Sequence, residues 1–480
     1  MREKCKLLFR KFTASAIALC MLVSGLIVPS IDSLACTGNQ SVGACEANIR
    51  VSETSITKTE INISNAYKLT GKTKKIPSDE TPYAKHGKLH VKGVNLYDEH
   101  NKKFQLRGVS LHGLQWDVGY NYINKASFRS MRDEWGVNAV RLPVYVTQTG
   151  YTEGSAADMD TRIENAVKYA TDLGMYVIID WHVHDAYGGG ANPNTWINDA
   201  KTFFKKYASK YKKNGNILYE ICNEPVNTQW FDGSGNDLYS YANTIIPIIR
   251  KYTKAVVIVG TNTWSQDVDQ VIGHKIDAKN VMYTIHFYSA THTDYLRQKV
   301  QTAIDGGVPV FCTEFGVCTA DGNGWYDFNQ ADEWIKLFDK NNISYFCWHL
   351  SNKGEKSALL NTACTKISGG WTNSDLSEAG SWLVNTYRAK EAQENSKVKY
   401  TIKFNGNGAT SGKMTKMSGL KYSKRYALKA NTYKKKGYKF VGWNTRKNGK
   451  GISYKNKAKI KGLTTRNGKT ITLYAQWKKK

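Results

Sequence analysis

Ile217-Leu-Tyr-Glu-Ile-Cys-Asn-Glu-Pro225 and Val308-Pro-Val-Phe-Cys-Thr-Glu-Phe-Gly316 share one form: an apolar run that gives out at an acid, Glu224 in the first and Glu314 in the second. Such a run reads as a buried strand, Ile217 to Cys222 and Val308 to Thr313, that ends in a loop able to carry chemistry. The form recurs. Further strand-like runs cover Phe104 to Val109, Asn138 to Leu142, Tyr176 to Asp180, Ala255 to Val259, Val281 to His286 and Tyr345 to His349. Amphipathic stretches such as Asp158 to Leu173 and Ala200 to Tyr211 separate most of them. Eight strand-then-helix units predict an α/β fold, a (β/α)8 TIM barrel, whose functional groups stand at the C-terminal ends of its strands. A doubly wound open sheet competes, but no glycine-rich dinucleotide fingerprint follows the first strand. Two acids at strand ends of one barrel suggest hydrolysis of a glycosidic bond.

Other polar residues collect where these strands end: His112, Arg141, His182, Asn223, Trp264, His286, Tyr288 and Trp348. Any one of them reads equally well as a satisfied wall residue, and for a lone histidine that is the better reading. Their joint placement at one end of successive strands is what points to a site.

Charge divides the chain. Lys397 to Lys480 holds 25 Lys and Arg and no Asp or Glu, whereas residues 36 to 396 hold 38 basic and 38 acidic residues. The net charge of +28 therefore belongs almost wholly to a C-terminal module with a separate job. At the other end, Arg2, Lys4, Lys6, Arg10 and Lys11 precede an apolar stretch and the small residues of Ser33-Leu-Ala35, the form of a signal peptide and not of a permanent transmembrane span. The expected organisation is a signal peptide at 1–35, a polar leader at 36–82, the catalytic barrel at 83–390, a linker at 391–397 and the basic β-rich module at 398–480. Export to the extracellular side follows, with retention on the cell surface as a further expectation. Of the nine cysteines, Cys5 and Cys20 fall in the signal, and the odd remainder cannot all pair. Cys222, Cys312 and Cys347 lie in strand runs and read as small buried hydrophobes; Cys36 and Cys45 are the one pair placed to close a loop. No Cys or His spacing suggests zinc, so neither metal nor cofactor is expected.

Seven ordered segments carry a family resemblance: Arg107-Gly-Val-Ser-Leu-His-Gly-Leu-Gln-Trp116, Val140-Arg-Leu-Pro143, Asp180-Trp-His182, Cys222-Asn-Glu-Pro225, His286-Phe-Tyr288, Thr313-Glu-Phe-Gly316 and Trp348-His-Leu-Ser-Asn-Lys353. Together they resemble glycoside hydrolase family 5, and within it the bacterial endo-β-1,4-glucanases, from about residue 84 to 388. The resemblance implies a retaining double displacement on a β-1,4-glucan, with Glu224 as general acid/base and Glu314 as nucleophile. It further implies that Asn223 holds the sugar 2-hydroxyl, Tyr288 touches Glu314, His286 orients Glu224, and His112 and His182 line the glycone side. Trp116, Tyr145, Trp264 and Trp348 match sugar-stacking positions, Lys353 and Glu355 match polar glycone contacts, and Ala320 matches a small loop residue. Where the family pattern carries Asn, this chain has His349.

Chemistry asks for the same division of labour. Glu224 has to be protonated, so its pKa is expected to be raised by burial and by the charge of Glu314. Glu314 has to stay ionised, and Arg141 is the obvious cation to hold it so. Tyr145 and Trp264 are expected to be surface platforms for sugar faces and not core. Rival expectations are the same mechanism on mannan, xyloglucan or mixed-linkage glucan, and a non-catalytic glycan-binding barrel.

In the tail, Tyr400-Thr-Ile-Lys-Phe-Asn-Gly-Asn-Gly408 alternates like a strand into a turn, and Gly437-Tyr-Lys-Phe-Val-Gly-Trp443 and Leu473-Tyr-Ala-Gln-Trp477 resemble the Listeria-Bacteroides surface repeat, a β-grasp-like module. Its charge suits an anionic cell-wall polymer, its aromatics suit cellulose, and export argues against nucleic acid.

Overall fold

The computed structural model describes residues 67–72, 76–184 and 191–480. The signal peptide, most of the leader and the Cys36–Cys45 loop lie outside the described residues. A hairpin, β1 (His90–Lys92) and β2 (Asn95–Tyr97), precedes eight parallel strands: β3 (Arg107–Leu111), β4 (Ala139–Tyr145), β5 (Tyr176–His182), β6 (Ile217–Glu220), β7 (Val257–Val259), β8 (Val281–Tyr288), β9 (Val310–Gly316) and β10 (Tyr345–Leu350). Each pairs with its neighbour in chain order, and β10 returns to β3, so the sheet closes as a (β/α)8 barrel.

The outer helices are α1 (Ala156–Asp172), α2 (Ile197–Lys210), α3 (Leu238–Arg250), α4 (Asp294–Asp305), α5 (Phe328–Asn341) and α6 (Glu378–Ser396). Several start on a side-chain cap: Ser155, Asp237, Asp327 and Ser377 each accept a backbone N–H from the first turn, which satisfies donors that the helix itself leaves free. In α1 the buried residues Met159, Ile163, Ala166, Val167 and Ala170 recur at helical spacing, so one face packs on the strands.

Inside the barrel the side chains form layers, because alternate strand residues point inward. Tyr176, Leu218, Met282, Phe311 and Phe346 make an apolar layer at the N-terminal end, plugged by Leu89 and Leu96 of the hairpin. Further along the strands, Arg141, Asp180, Glu220, Thr284 and Thr313 make a fully buried polar layer. Strand β9 breaks the alternation. Its register slips by one residue against both β8 and β10, since Phe311 and Glu314 pair with Thr284 and His286, and Cys312 and Phe315 with Tyr345 and Cys347. This β-bulge turns two consecutive residues, Thr313 and Glu314, into the barrel, a known use of bulges beside functional sites.

The tail folds as a five-stranded sheet in the order β12 (Met417–Lys421), β11 (Lys399–Asn405), β17 (Thr470–Lys479), β14 (Tyr438–Asn444), β15 (Ser453–Tyr454), beside a short pair, β13 (Arg425–Ala427) and β16 (Lys459–Lys461). First and last strands pair in parallel. Trp443, Phe404, Ile402 and Leu473 centre its core.

Two organisational expectations change. Residues 391–396 continue α6 instead of forming a linker, because Arg107 grips Glu394 through two bonds of 2.7 and 2.9 Å. The end of the expected leader is packed: Leu69 is buried, Tyr67 donates its N–H to Asn385 at 2.7 Å, and the Arg388 guanidinium stacks on the Tyr67 ring. The tail also docks. Glu80 accepts from Thr464 and Thr465, and Lys469 bridges Asp79 and Glu80. Phe104, Arg107 and Asn138, at the N-terminal ends of β3 and β4, line the same crevice as Tyr422, Tyr454 and Thr464. The module therefore sits at the barrel end opposite the strand C-termini.

Glu80→Ala removes the acceptor common to these contacts. It is expected to weaken docking by about 1–3 kcal/mol, so that the tail unfolds in its own calorimetric transition and the chain near Val398 opens to protease. A single unchanged transition would contradict that role for Glu80.

Candidate active site

One fully buried guanidinium organises the polar layer. Arg141 on β4 donates Nε to Glu220 Oε2 at 2.8 Å, Nη2 to Glu220 Oε1 at 3.1 Å and to Asn223 Oδ1 at 2.6 Å, and Nη1 to Glu314 Oε2 at 2.9 Å. Asp180 lies 2.9 Å from Nη2. Three carboxylates thus surround one cation. Burial pushes Asp180 and Glu220 up to about 7 against the pull of Arg141. Such interacting groups titrate as a cluster. Both oxygens of Glu220 receive donors, whereas Asp180 Oδ1 is buried with no partner among the described residues.

Glu224 and Glu314 face each other above this layer. One oxygen from each and a ring nitrogen of His286 lie within 4.8 Å of one another. Their environments differ in kind. Glu314 accepts from Arg141 and, at 2.8 Å, from the Tyr288 hydroxyl, which burial and the charge of Glu314 keep in the phenol form. Gly316, two residues on, leaves room for that ring: a Cβ there would meet Tyr288 Cδ1 at 2.3 Å. Glu224 has no arginine; its Oε1 lies 2.9 Å from His286 Nδ1. Burial pushes Glu224 up, but the hydrogen bond and charge of His286 outweigh it and hold Glu224 below the ordinary carboxylate range. His286 is correspondingly raised: burial lowers it, and Glu224 and Glu314 more than compensate. The expected upward shift of Glu224 is thus reversed, and the two opposite shifts favour the proton of the pair on the imidazole.

The cleft, about 510 Å³, is lined by His112, Tyr145, His182, Glu224, Trp264, His286, Tyr288, Glu314, Ala320, Trp348, Lys353 and Glu355, together with His184, Gln266, His292 and Ser357. Arg141 and Asn223 lie beneath it, both fully buried. Arg141 claims Asn223 Oδ1, leaving Asn223 Nδ2 as a buried donor without a partner among the described residues. His182 is neutral, lowered by burial and by Arg141, and its Nδ1 meets Asp180 at 2.6 Å. Trp116 is half-buried at the margin, with its ring 4.9 Å from Tyr145 and 5.2 Å from His112.

At one side of the cleft, Glu355 is held by His349 Nε2 at 2.6 Å, Lys353 Nζ at 2.7 Å and the Ser357 hydroxyl at 2.9 Å. His349 is fully buried, so the departure from Asn supplies a brace for Glu355 and not a new wall of the cleft. Burial and the neighbouring His349 and Lys353 push His112 down to about 2, leaving it neutral.

The two expected platforms part company. Trp264 is 41% exposed and stands on a turn in which Thr263, Trp264 and Ser265 all have positive φ, at 55°, 54° and 58°. Left-handed backbone at three non-glycine residues is costly. It is held by Ser265 Oγ donating to the Asn223 carbonyl at 2.7 Å and by Trp264 N–H donating to the Pro225 carbonyl at 3.1 Å. Trp264 is thereby tied to the segment bearing Glu224. Tyr145, by contrast, is buried, its ring 4.1 Å from His182. It is a packed wall and not a surface platform. Asp180, Glu220 and Thr313 were not among the expected site residues, although Asp180 and Thr313 open two of the family-like segments; for Glu220 the only signal was polarity at an inward position of an apolar strand.

Comparison with known proteins agrees with this geometry. The model of the cellulase family, glycosyl hydrolase family 5, matches residues 97–354, and that of the Listeria-Bacteroides repeat domain matches residues 400–476. An endoglucanase of Clostridium saccharobutylicum is 43% identical over 61% of this chain and 63% of its own length. Endoglucanase A of Butyrivibrio fibrisolvens is 41% identical over 62% of the chain and 68% of its own. The chain thus spans about two thirds of the length of these relatives. The catalytic domain of Thermobifida fusca endoglucanase Cel5A superposes with a TM-score of 0.59 at 33% identity, over 64% of this chain and 99% of that domain, and has also been solved as a variant with cellotetraose.

Trp264→Ala should shift stability by no more than about 0.5 kcal/mol, as at a surface site, whereas Tyr145→Ala should cost about 3–5 kcal/mol, as for a buried aromatic. Urea denaturation checks both; equal costs would remove the distinction between platform and wall.

Proposed function

The chain belongs to the cellulases of glycosyl hydrolase family 5, and on that premise we propose that it is a secreted, retaining endo-β-1,4-glucanase acting on cellulose and related glucans. The observation that carries the reading is the close approach of Glu224 and Glu314, with oxygens within 4.8 Å, in unlike environments. Retaining enzymes hold their carboxyls about 5–5.5 Å apart, which leaves no room for a water between them in the first step.

Glu314, held by Arg141 and aimed by Tyr288, attacks the anomeric carbon as a carboxylate from the face opposite the leaving oxygen. The glycosidic C–O bond breaks as Glu224 delivers a proton to that oxygen, leaving an α-linked glycosyl ester on Glu314. Glu224, now a carboxylate, takes a proton from water; the water oxygen attacks the same carbon, the ester bond breaks and a β-configured product leaves. The proton needed by Glu224 comes from the pair it forms with His286, across 2.9 Å. Asn223 Nδ2, locked by Arg141 and otherwise unpartnered, is the donor suited to the 2-hydroxyl at the cleavage point. Trp264 supplies the exposed aromatic face on which a glucan chain stacks, as C–H faces of sugars favour.

The tail serves to hold the enzyme at an anionic cell-wall polymer. Its 24 basic residues have no acid within the module, so they favour a polyanion. Cellulose binding by the tail is the weaker reading, because Trp443 is buried, Trp477 is half-buried and donates to the Gly406 carbonyl at 2.9 Å, and no tail tyrosine is exposed.

Glu314→Ala should abolish turnover and regain it with azide as an α-glycosyl azide, because a small anion fills the nucleophile's place on the opposite face. A β-azide from this variant would reverse the assignments. Glu224→Ala should retain the glycosylation step on substrates with activated leaving groups, and equal loss on activated and natural substrates would exclude it as the acid. For the tail, binding to isolated cell walls should fall steeply with added salt, since exposed charges are screened within about 8 Å at physiological ionic strength; salt-independent binding would favour the aromatic reading.

A further inference from the structure

Neither step of that mechanism uses Glu220, a carboxylate buried in the barrel, or Thr313, which the β9 bulge turns inward beside it. Thr313 Oγ1 lies 2.7 Å from each of three groups: Glu220 Oε1, Thr284 Oγ1 and His286 Nε2. A hydroxyl has one proton and two lone pairs, so one of the three groups accepts from it and the other two donate to it. Glu220 already receives Arg141 on both oxygens and acts as an acceptor, which draws the Thr313 proton to it. Thr284 Oγ1 accepts the Thr313 backbone N–H at 2.9 Å, and its own proton fills one lone pair of Thr313 Oγ1. The remaining lone pair takes a proton from His286 Nε2.

We propose that Thr313 and Glu220 form a relay that keeps a proton on His286 Nε2, so that Nδ1 alone exchanges the catalytic proton with Glu224. The inference rests on the glucanase reading above and names the positioning residues of its acid/base. With Nε2–H held, Nδ1 either accepts from a protonated Glu224 or, as imidazolium, donates to the carboxylate. The pair carries one mobile proton: it leaves for the glycosidic oxygen in the first step and returns from water in the second. The opposite neutral tautomer, Nδ1–H with a bare Nε2, would only donate to Glu224 and hold it ionised, which is useless for an acid. The charged and titratable groups facing His286 are Glu224, Glu220, Glu314, Asp180, Arg141 and His182. Carboxylates outnumber the one permanent cation, which favours the second proton on the ring.

Thr313→Val keeps shape and removes the hydroxyl; Thr313→Ser restores it. For Thr313→Val, kcat/KM on a cello-oligosaccharide should fall on the order of 10- to 100-fold, part of what general acid catalysis supplies, and its alkaline limb should move to lower pH, because the imidazolium has lost its acceptor. On 2,4-dinitrophenyl β-cellobioside, whose leaving group needs no proton, kcat/KM should change less than about threefold. Thr313→Ser should recover both values. Equal loss on the two substrates, or an unmoved alkaline limb, would overturn the relay. Nitrogen-15 NMR of labelled histidine in the unmodified protein supplies a reading that needs no variant: His286 should show a protonated Nε2 throughout the range of activity, and a neutral Nδ1–H form would overturn the relay. A wild-type chain that shows Nε2–H but cleaves no oligosaccharide would overturn the glucanase reading instead.

Discussion

Everything in the site depends on a single buried cation. The Arg141 guanidinium is fully excluded from solvent and touches Asp180, Glu220, Glu314 and Asn223, which come from β5, β6, β9 and the segment after β6. A planar fork with five donors can hold several acceptors at once in fixed directions, which a lysine cannot. The desolvation of such a cluster is large, and loss of the cation would leave carboxylates buried without a partner, typically a penalty of about 3–5 kcal/mol. One interaction therefore ties four parts of the barrel wall together and gives Glu314, but not Glu224, a guanidinium partner. Fold and chemistry share the same atoms here.

The second constraint is the bulge in β9. Regular alternation would bring either Thr313 or Glu314 inside, not both. With one residue added to the strand, Glu314 reaches Arg141 and Tyr288 while Thr313 reaches Glu220 and His286. The two acids are thereby made chemically unlike: Glu314 is surrounded by donors, and Glu224 shares a proton with an imidazole. Environments that separate two carboxylates in this way are what assigns acid and nucleophile.

Much of this was legible in the chain, for identifiable reasons. Apolar runs that end on acids reveal strands and their C-terminal ends without tertiary information, so the barrel and the pair Glu224 and Glu314 could be read directly, and Arg141 followed from the need to hold Glu314 ionised. Glu220 and Asp180 could not be read as part of the site, because one polar residue inside an apolar strand says nothing about its partner across the barrel. The bulge is invisible, since a register slip leaves no mark on composition. Tyr145 differs from its expected place because a match to a sugar-stacking position says nothing about burial, and its ring packs on His182. The linker at 391–397 failed for a different reason: a run of charged residues looks solvated, but Glu394 is claimed by Arg107 from the barrel. The raised pKa expected for Glu224 counted burial and Glu314 but not the charge and hydrogen bond of His286, although that histidine was expected to orient it.

The arrangement of the two domains has a consequence for use. The basic module docks at the N-terminal end of the barrel and the cleft opens at the other, so the module lines no part of the cleft. The cleft's own chemistry turns on the spacing of Glu224 and Glu314, which the configuration of the first-formed sugar tests most directly. Proton NMR followed during hydrolysis of a cello-oligosaccharide should show the β-anomer of the newly released reducing end accumulating first, with the α-anomer appearing only as mutarotation proceeds. Initial accumulation of the α-anomer would mean that water attacks directly, and would contradict a Glu314 nucleophile working beside Glu224.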